Sequence, residues 1–422
     1  MRVLKNKIGK NQNYLIFMKK LFLHSLVLAI LTTFSQKIIA QCDQLSGIDV
    51  QGRKCGGAVQ SAVPFLIINP DARSGGMGDA GIAISTDANA MHFNASKLAN
   101  TDQKWGGSIS YTPWLRNLNV NDIYLAYASG FYQFGEKGVK QTVGLSLTYF
   151  SLGELTWTGY SGEVLGYGAP REYSVAAAYA RQLSPELSIG FTGKYIYSNL
   201  ASGQSVGGTG NGTIRSGQAV AADLSFTYKK PLKSASGKGD LTIAAVISNI
   251  GNKVNYLNTA DYLPANLGIG AAFNKPFDPL NRIVFTVDLN KLLVPTPQPL
   301  ATDPTRSWKQ QGLIGSIINS FSDAPGGFSE ELAEINVSAG AEYWYDNQFA
   351  FRAGYFYEDK AKGGRQYLTV GIGLKYSVMG INISYLVPTS SQRGPLDNTL
   401  RFSLLFDAAT FKNAEAAPSD NN

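Results

Sequence analysis

Histidine and cysteine are scarce in this sequence, which has 422 residues but only 2 His and 2 Cys. His24 lies in the basic stretch of residues 1–40, so His92 is the one histidine left for chemistry. A Ser-His-Asp triad would have to use it as the base, and catalytic zinc needs about three protein ligands. We therefore expect no enzyme, no metal site and no cofactor, and we interpret His92 as a packed structural residue.

Charged residues are also scarce, at 16% of the chain, compared with about 25% in typical soluble domains. The formal net charge of +7 comes entirely from residues 1–40, which contain Lys and Arg but no acid. Lys19 and Lys20 precede an apolar run from Leu21 to Leu31, a pattern typical of a secretory signal peptide. A bilayer anchor is disfavoured because this run is too short to span. The remaining chain is neutral, so nucleic-acid binding is not expected.

Long hydrophobic runs are absent beyond residue 40, so no transmembrane helix of ~20 apolar residues is predicted there. Residues 41–68 are predicted to be an N-terminal periplasmic arm that contains both remaining thiols. Cys42 and Cys55 would form one small disulfide loop in an oxidising compartment. The alternative is two free thiols in a mobile arm.

Alternation of apolar and polar residues is what the sequence has in abundance. Leu368 and Val370 fall on one face of an extended strand, while Thr369 and Lys375 fall on the other. The pattern recurs about fourteen times, and the connections alternate between short and long, as in outer-membrane barrels. The sequence thus predicts an all-β, 14-stranded antiparallel transmembrane β-barrel over residues 105–408, followed by a flexible tail at 409–422. Short turns and both termini would be periplasmic, and long loops extracellular.

Residues 69–104 differ from the rest, being rich in Gly, Ala and Asx with turn residues every few positions. They cannot form a lipid-facing strand. Apolar side chains such as Met77 and Leu98 favour a packed segment over a linker, and we predict a hatch that fills the barrel lumen.

Two of the predicted long loops carry apolar residues that could bind a partner. One contains Trp114, Leu115 and Leu118, which would form an exposed aromatic tip or lie among lipid headgroups, since Trp favours both interfaces. In the loop at 291–333, the residues with the spacing of one helical face are Leu313, Ile314, Ile317, Ile318 and Phe321. That face either packs on the barrel rim or contacts another protein. Glu330 and Glu331 in the same loop are expected to be a solvated charge pair.

Residues 69–99 resemble the hatch of the FadL-like superfamily, the long-chain fatty-acid transporters of the outer membrane. The matching positions are Asn69, Pro70, Gly76, Met77, Gly78, Ala80 and Asn94. Ala95 stands where that family has Pro, which alters the local turn. The string at 69–83, N-P-D-A-R-S-G-G-M-G-D-A-G-I-A, is similar to the PorV (LptO) family, the outer-membrane shuttle proteins of type IX secretion.

This resemblance implies a set of partners. Such proteins bind the SprA translocon and the C-terminal domains of secreted cargo proteins, and pass cargo to a PorU-containing attachment complex. Outer-membrane lipid and lipopolysaccharide would surround or receive them. The expected function is therefore non-enzymatic shuttling of cargo at the cell outer membrane. The alternative, implied by the wider superfamily, is a FadL-like transporter of small hydrophobic molecules.

Overall fold

Fourteen antiparallel strands form a closed barrel in which every strand pairs with its neighbours in sequence, and the last strand pairs with the first. The computed structural model describes residues 42–43, 48–49, 57–115, 122–135, 139–159, 161–201, 213–234, 237–257, 260–299, 303, 305–390 and 397–407. The fold class predicted from the sequence is thereby confirmed. Within these residues no helix is long and apolar enough to span a membrane. The barrel strands, numbered here in chain order, are β1 Trp105–Pro113, β2 Ile123–Phe134, β3 Gln141–Leu152, β4 Arg171–Gln182, β5 Leu187–Asn199, β6 Gly217–Ser234, β7 Gly237–Gly251, β8 Asn266–Pro276, β9 Asn281–Leu292, β10 Ile335–Tyr345, β11 Phe349–Tyr357, β12 Gln366–Tyr376, β13 Met379–Pro388 and β14 Leu400–Asp407.

The two faces of the wall differ as the alternation predicts. In β12, Leu368 and Val370 are 50% and 53% exposed, whereas Thr369 between them is 1% exposed. A one-residue slip in register would turn every apolar side chain inward. The outward apolar face therefore fixes the register of each strand, and the inward face is left to small and polar residues.

The two ends of the barrel are unlike. At one end, called the short-turn end, the connections run from two residues at 235–236 to six at 135–140. The tightest turns use left-handed residues, such as Asp346 and Asn347 with φ of 51°, as type I′ turns require. At the other end, called the long-loop end, connections reach from Leu293 to Glu334 and include small hairpins and helices.

Residues 69–100, called the inner segment, lie against the inward side chains of the barrel. Two short helices, α1 at Ala72–Gly75 and α2 at Ala90–Phe93, and a 3₁₀ turn at Ala95–Asn100 make up its regular structure. Met77 and Leu98 are fully buried, each worth about 1.5–3 kcal/mol. Whether this segment closes the lumen as a hatch stays a prediction.

Inward glycines make room for the inner segment. A Cβ at Gly354 of β11 would lie 2.2 Å from the Gly78 nitrogen, and one at Gly190 of β5 would lie 2.5 Å from the Ser96 nitrogen. Gly78 itself has φ of +66°, a conformation that glycine adopts at little cost. The abundance of Gly in the strands thus has a packing reason.

Residues 57–68 of the predicted N-terminal arm lie at the long-loop end, and the side of the membrane on which that end lies stays a prediction. Ala62 donates its N–H to the Tyr262 carbonyl at 2.8 Å, and Lys362 donates to the Gly57 carbonyl at 3.2 Å. Phe65 is fully buried in a cluster at the barrel mouth. A periplasmic arm and extracellular long loops cannot both hold for residues 57–68. The chain instead enters at the long-loop end and reaches the short-turn end at β1, because the inner segment runs between them. Residues 1–40, Cys55 and the tail at 409–422 lie outside the described residues, so the signal peptide and the disulfide stay predictions.

Candidate functional site at the long-loop end

The loop at 293–334 is the largest structure at the long-loop end, and buried contacts hold its first half. Trp308, in the 3₁₀ turn Ser307–Gln310, is 6% exposed. The Tyr262 hydroxyl lies 2.9 Å from the carbonyl oxygens of both Trp308 and Gln311. Lys309 pairs with Asp261 at 2.6 Å. The loop is therefore anchored to the neighbouring connection between β7 and β8.

Buried ion pairs hold the second half of the loop, which contains helix α4 at Phe328–Ala333. Lys291 at the end of β9 pairs with Glu331 at 2.9 Å, and Lys362 pairs with Glu330 at 2.6 Å. Glu334 accepts hydrogen bonds from both lysines. The expectation of a solvated pair at Glu330 and Glu331 is therefore wrong: both are less than 10% exposed, because lysines from two other elements converge on them.

The carboxylates around this network do not titrate alike. Burial alone would raise the pKa of Glu334, but hydrogen bonds from Lys291, Thr296 and Lys362 outweigh it and lower that pKa. Burial, together with the charges of Glu331 and Glu334, raises the pKa of Asp323 to about 6. The loop thus contains one carboxyl group that changes charge close to neutral pH.

Helix α3, Leu313–Asn319, is inverted: it exposes apolar side chains and buries serines, the reverse of an ordinary surface helix. Ile314 and Ile318 are 66% and 64% exposed, and Phe321 just beyond the helix is 50% exposed. Ser316 and Ser320, on the opposite side, are buried. The face predicted from Leu313 to Phe321 is thus real. However, it turns outward from the rim along Ile314, Ile318 and Phe321, while Leu313 and Ile317 are partly buried. Helix α4 adds Phe328 and Leu332, at 77% and 52% exposure.

Trp114 does not form the exposed tip that the sequence predicts. It is 9% exposed and lies edge-on to Phe150, with ring centroids 4.9 Å apart. Phe65 of the arm belongs to the same cluster, and Leu115 packs against it while partly buried. Trp114 is buried at the barrel mouth because Phe65 of the arm packs in the same cluster, and the local sequence does not reveal this contact. Leu118 lies outside the described residues.

The predicted hatch positions are brought together by polar contacts. Asn69 donates to Asp79 at 2.7 Å, and Arg401 of β14 pairs with the same carboxylate at 2.8 Å. Asn94 donates to Thr227 of β6 at 3.0 Å. Pro70, Gly76, Met77, Gly78 and Ala80 are buried in the same inner segment.

A second set of charges joins the inner segment to the wall, and sequence reasoning missed it. Arg73 donates to Glu342 of β10 through Nε and Nη2, both at 2.9 Å, and pairs with Asp87 at 2.9 Å. Arg352 of β11 binds the same Glu342 at 2.8 Å. Glu342 is buried, and its partner Arg73 lies 269 residues away in the sequence. No local signal could have paired the two.

His92 lies beside a cavity in the half of the barrel nearer the long loops. Its ring is edge-on to Phe93 at 4.8 Å, and within the described residues no side chain forms a hydrogen bond with it. The cavity, about 120 Å³, is lined largely by polar residues that include Lys194, Asn249 and Asn290. Across the described ranges, no cluster of three or more His, Cys, Asp or Glu is placed to hold a metal ion.

Comparison with known proteins identifies a family. No protein of curated function matches the sequence. Among solved structures, the Ralstonia pickettii toluene transporter TbuX is similar at 14% identity, with 81% of this chain and 97% of that chain covered and a TM-score of 0.48. The Pseudomonas putida toluene transporter TodX matches at 12% identity, covering 79% and 95%, with a TM-score of 0.41. Such scores carry no argument about function.

The family comparison is more informative. The model of the family described as "Type IX secretion system protein PorV" matches residues 52–299, which is more than half of the chain and includes the inner segment and strands β1–β9. The chain therefore belongs to the PorV family of type IX secretion system proteins.

Proposed function

We propose that this protein is a non-enzymatic carrier in type IX secretion. Membership of the family makes it an outer-membrane β-barrel component of that system. The finer role is that it binds the SprA translocon and the C-terminal domains of secreted cargo. It then passes the cargo to the PorU-containing attachment complex, with the long loops extracellular.

The inverted helix α3 is the observation that supports this role. Exposed Ile and Phe side chains on one helical face are typical of a surface that docks into a groove of a partner. The loop beneath is held by buried ion pairs to β9 and to the connection after β11. Such a surface is pre-ordered, and a partner that binds it loses little conformational entropy.

Transport of small hydrophobic molecules fits the interior less well. Such a ligand needs an apolar path, but the cavity beside His92 is lined by Lys194, Asn249 and Asn290. Below it, the charges around Glu342 join the inner segment to the wall.

The test is capture of partners by a tagged protein from mild detergent. Replacing Ile314 and Ile318 together with serine should leave a folded barrel but reduce recovery of SprA or of a cargo C-terminal domain at least tenfold, since each buried Ile contributes more than about 1.4 kcal/mol. The matched control replaces Leu155 and Tyr167 with serine. These residues are 43% and 79% exposed in another loop at the long-loop end, and their replacement should leave capture unchanged. Equal recovery with both double variants would remove α3 from the proposal.

A further inference from the structure

A second cavity opens at the short-turn end, far from the loops proposed to bind partners. Its volume is about 340 Å³. The inner segment forms one side of it through residues 83–86 and Lys97, continuing into 100–103, and strands β6–β9 form the other. The lining is mainly polar.

Within the described residues, two cations in this lining have no carboxylate at ion-pair distance, although Asp87 and Asp288 act on Lys97 from farther away, and Glu342 and Asp240 on Arg282. Lys97 is 3% exposed, and within the described residues its ammonium donates to the Gly81 carbonyl but forms no ion pair. Arg282 of β9 rests on the Trp344 ring, with its guanidinium carbon 5.1 Å from the ring centroid. Its Nε is buried without a hydrogen-bond partner in the described part of the chain. An unpaired buried cation is costly.

Other cations that point into the barrel are treated differently. Five of them form an ion pair of 2.9 Å or less with a carboxylate: Arg73 with Glu342, Lys194 with Asp223, Lys291 with Glu331, Arg352 with Glu342 and Arg401 with Asp79. Lys229, at the mouth of the cavity, lies 3.7 Å from Asp240. Lys97 and Arg282, for which no ion pair is formed within the described residues, line the same cavity. This coincidence indicates that the compensating charge is meant to come from a ligand.

The acids in the lining do not supply that charge. Asp240 accepts from Asn274 at 2.9 Å and lies 3.7 Å from the Lys229 ammonium at the mouth. Asp102 is 96% exposed in its side chain and pairs with Lys140 at 2.8 Å. The Asn274 Oδ1 atom is buried and accepts no hydrogen bond among the described residues. Among the described residues, the cavity therefore presents two cations without an ion pair and one buried acceptor without a hydrogen bond.

We propose that this cavity binds a ligand that carries a phosphate group and a hydroxyl. An anionic phosphate group suits the two cations, with Arg282 offering the planar fork that suits its oxygens and Lys97 a point charge. The hydroxyl would donate to Asn274. Both a soluble sugar phosphate and the headgroup of a phospholipid have this chemistry.

The experiment measures ligand binding to the full-length barrel in a zwitterionic detergent. Isothermal titration calorimetry at fixed ionic strength would use glucose 6-phosphate and dihexanoyl phosphatidylglycerol as probes, with glucose as the uncharged comparison. We expect one phosphate-bearing probe to bind at least tenfold more tightly than glucose. Tighter binding of the sugar phosphate would assign the site to soluble ligands, and tighter binding of the lipid to headgroups.

Variants decide whether the cavity is the site. Arg282→Gln should weaken binding of the preferred probe roughly tenfold or more, the effect of losing a hydrogen bond to a charged group, whereas Arg282→Lys should retain part of it. Thermal stability of ligand-free Arg282→Gln should equal or exceed that of the parent, because an uncompensated cation is removed. Arg181→Gln, on the exposed outer face of β4, is the matched control. If Arg282→Gln does not fold, Lys97→Gln takes its place. Absence of phosphate-dependent binding, or equal binding by the cavity and control variants, overturns the proposal.

Discussion

Replacing Glu342 with alanine should detach the inner segment from the barrel wall. This carboxylate is 1% exposed and is the shared partner of Arg73 and Arg352. Its loss leaves both guanidinium groups buried with fewer compensating charges. Arg73 keeps Asp87 at 2.9 Å, and Arg352 keeps a hydrogen bond to Asn382 at 2.9 Å.

The expected magnitude follows from this geometry. Removing one partner of a buried ion pair costs about 3–5 kcal/mol, and the surviving contacts place Glu342→Ala towards the lower end of that range. A loss of 3 kcal/mol corresponds to a roughly 100-fold increase in the open population. Glu342→Gln keeps the shape and one acceptor oxygen but replaces the other acceptor with an N–H donor, and should cost less than the alanine variant because it leaves no cavity.

Hydrogen exchange read by mass spectrometry on the full-length barrel measures this effect. Amides in the inner segment should exchange roughly 100-fold faster in Glu342→Ala, while those in β3 and β4, which do not contact Glu342, should keep their rates. Asp102→Ala breaks an exposed pair with Lys140 and should cost at most about 1 kcal/mol. Exchange no faster in Glu342→Ala than in Asp102→Ala would refute the view that these charges hold the inner segment.

Two further predictions concern backbone fit and pH. Gly78→Ala should lower the melting temperature at a cost of about 1–3 kcal/mol, because φ at this residue is +66° and the new Cβ would meet the Tyr355 carbonyl oxygen at 2.5 Å. The control Gly312→Ala, whose new Cβ would have no atom within 4 Å, should cost less than about 1 kcal/mol. Equal melting temperatures of the two variants would contradict this reasoning. Burial raises the pKa of Asp323 to about 6, so the folded loop binds a proton more tightly than the unfolded chain. The stability of the loop should therefore fall as pH rises from about 4 to 6, by on the order of 1 kcal/mol after allowance for partial exposure. Exchange in residues 313–334 measured across that range should show the slope, Asp323→Asn should flatten it, and the same slope in both proteins would contradict the assignment.

The barrel was predictable because its wall separates two environments. Leu368 and Val370 face outward while Thr369 faces inward, and an alternation of period two is visible in any single strand. The inner segment was recognisable by composition, since its turn residues exclude a strand. In contrast, the end at which the arm lies depends on where Phe65 finds apolar partners, and those come from distant loops. Patterns along the chain report local geometry and are silent about such contacts.

The candidate binding face shows the same limit in more detail. Spacing predicted which residues share one side of α3, but periodicity cannot say which side points inward. The serines can turn inward at little cost because their hydroxyls are satisfied within the helix: Ser316 donates to the Leu313 carbonyl and Ser320 to the Ile317 carbonyl, both at 2.8 Å. Ile314 and Ile318 then remain exposed, which forgoes on the order of 1 kcal/mol each. Folding satisfies the buried hydroxyls locally and leaves the two isoleucines exposed. A partner that covers them would therefore gain the hydrophobic free energy that folding does not.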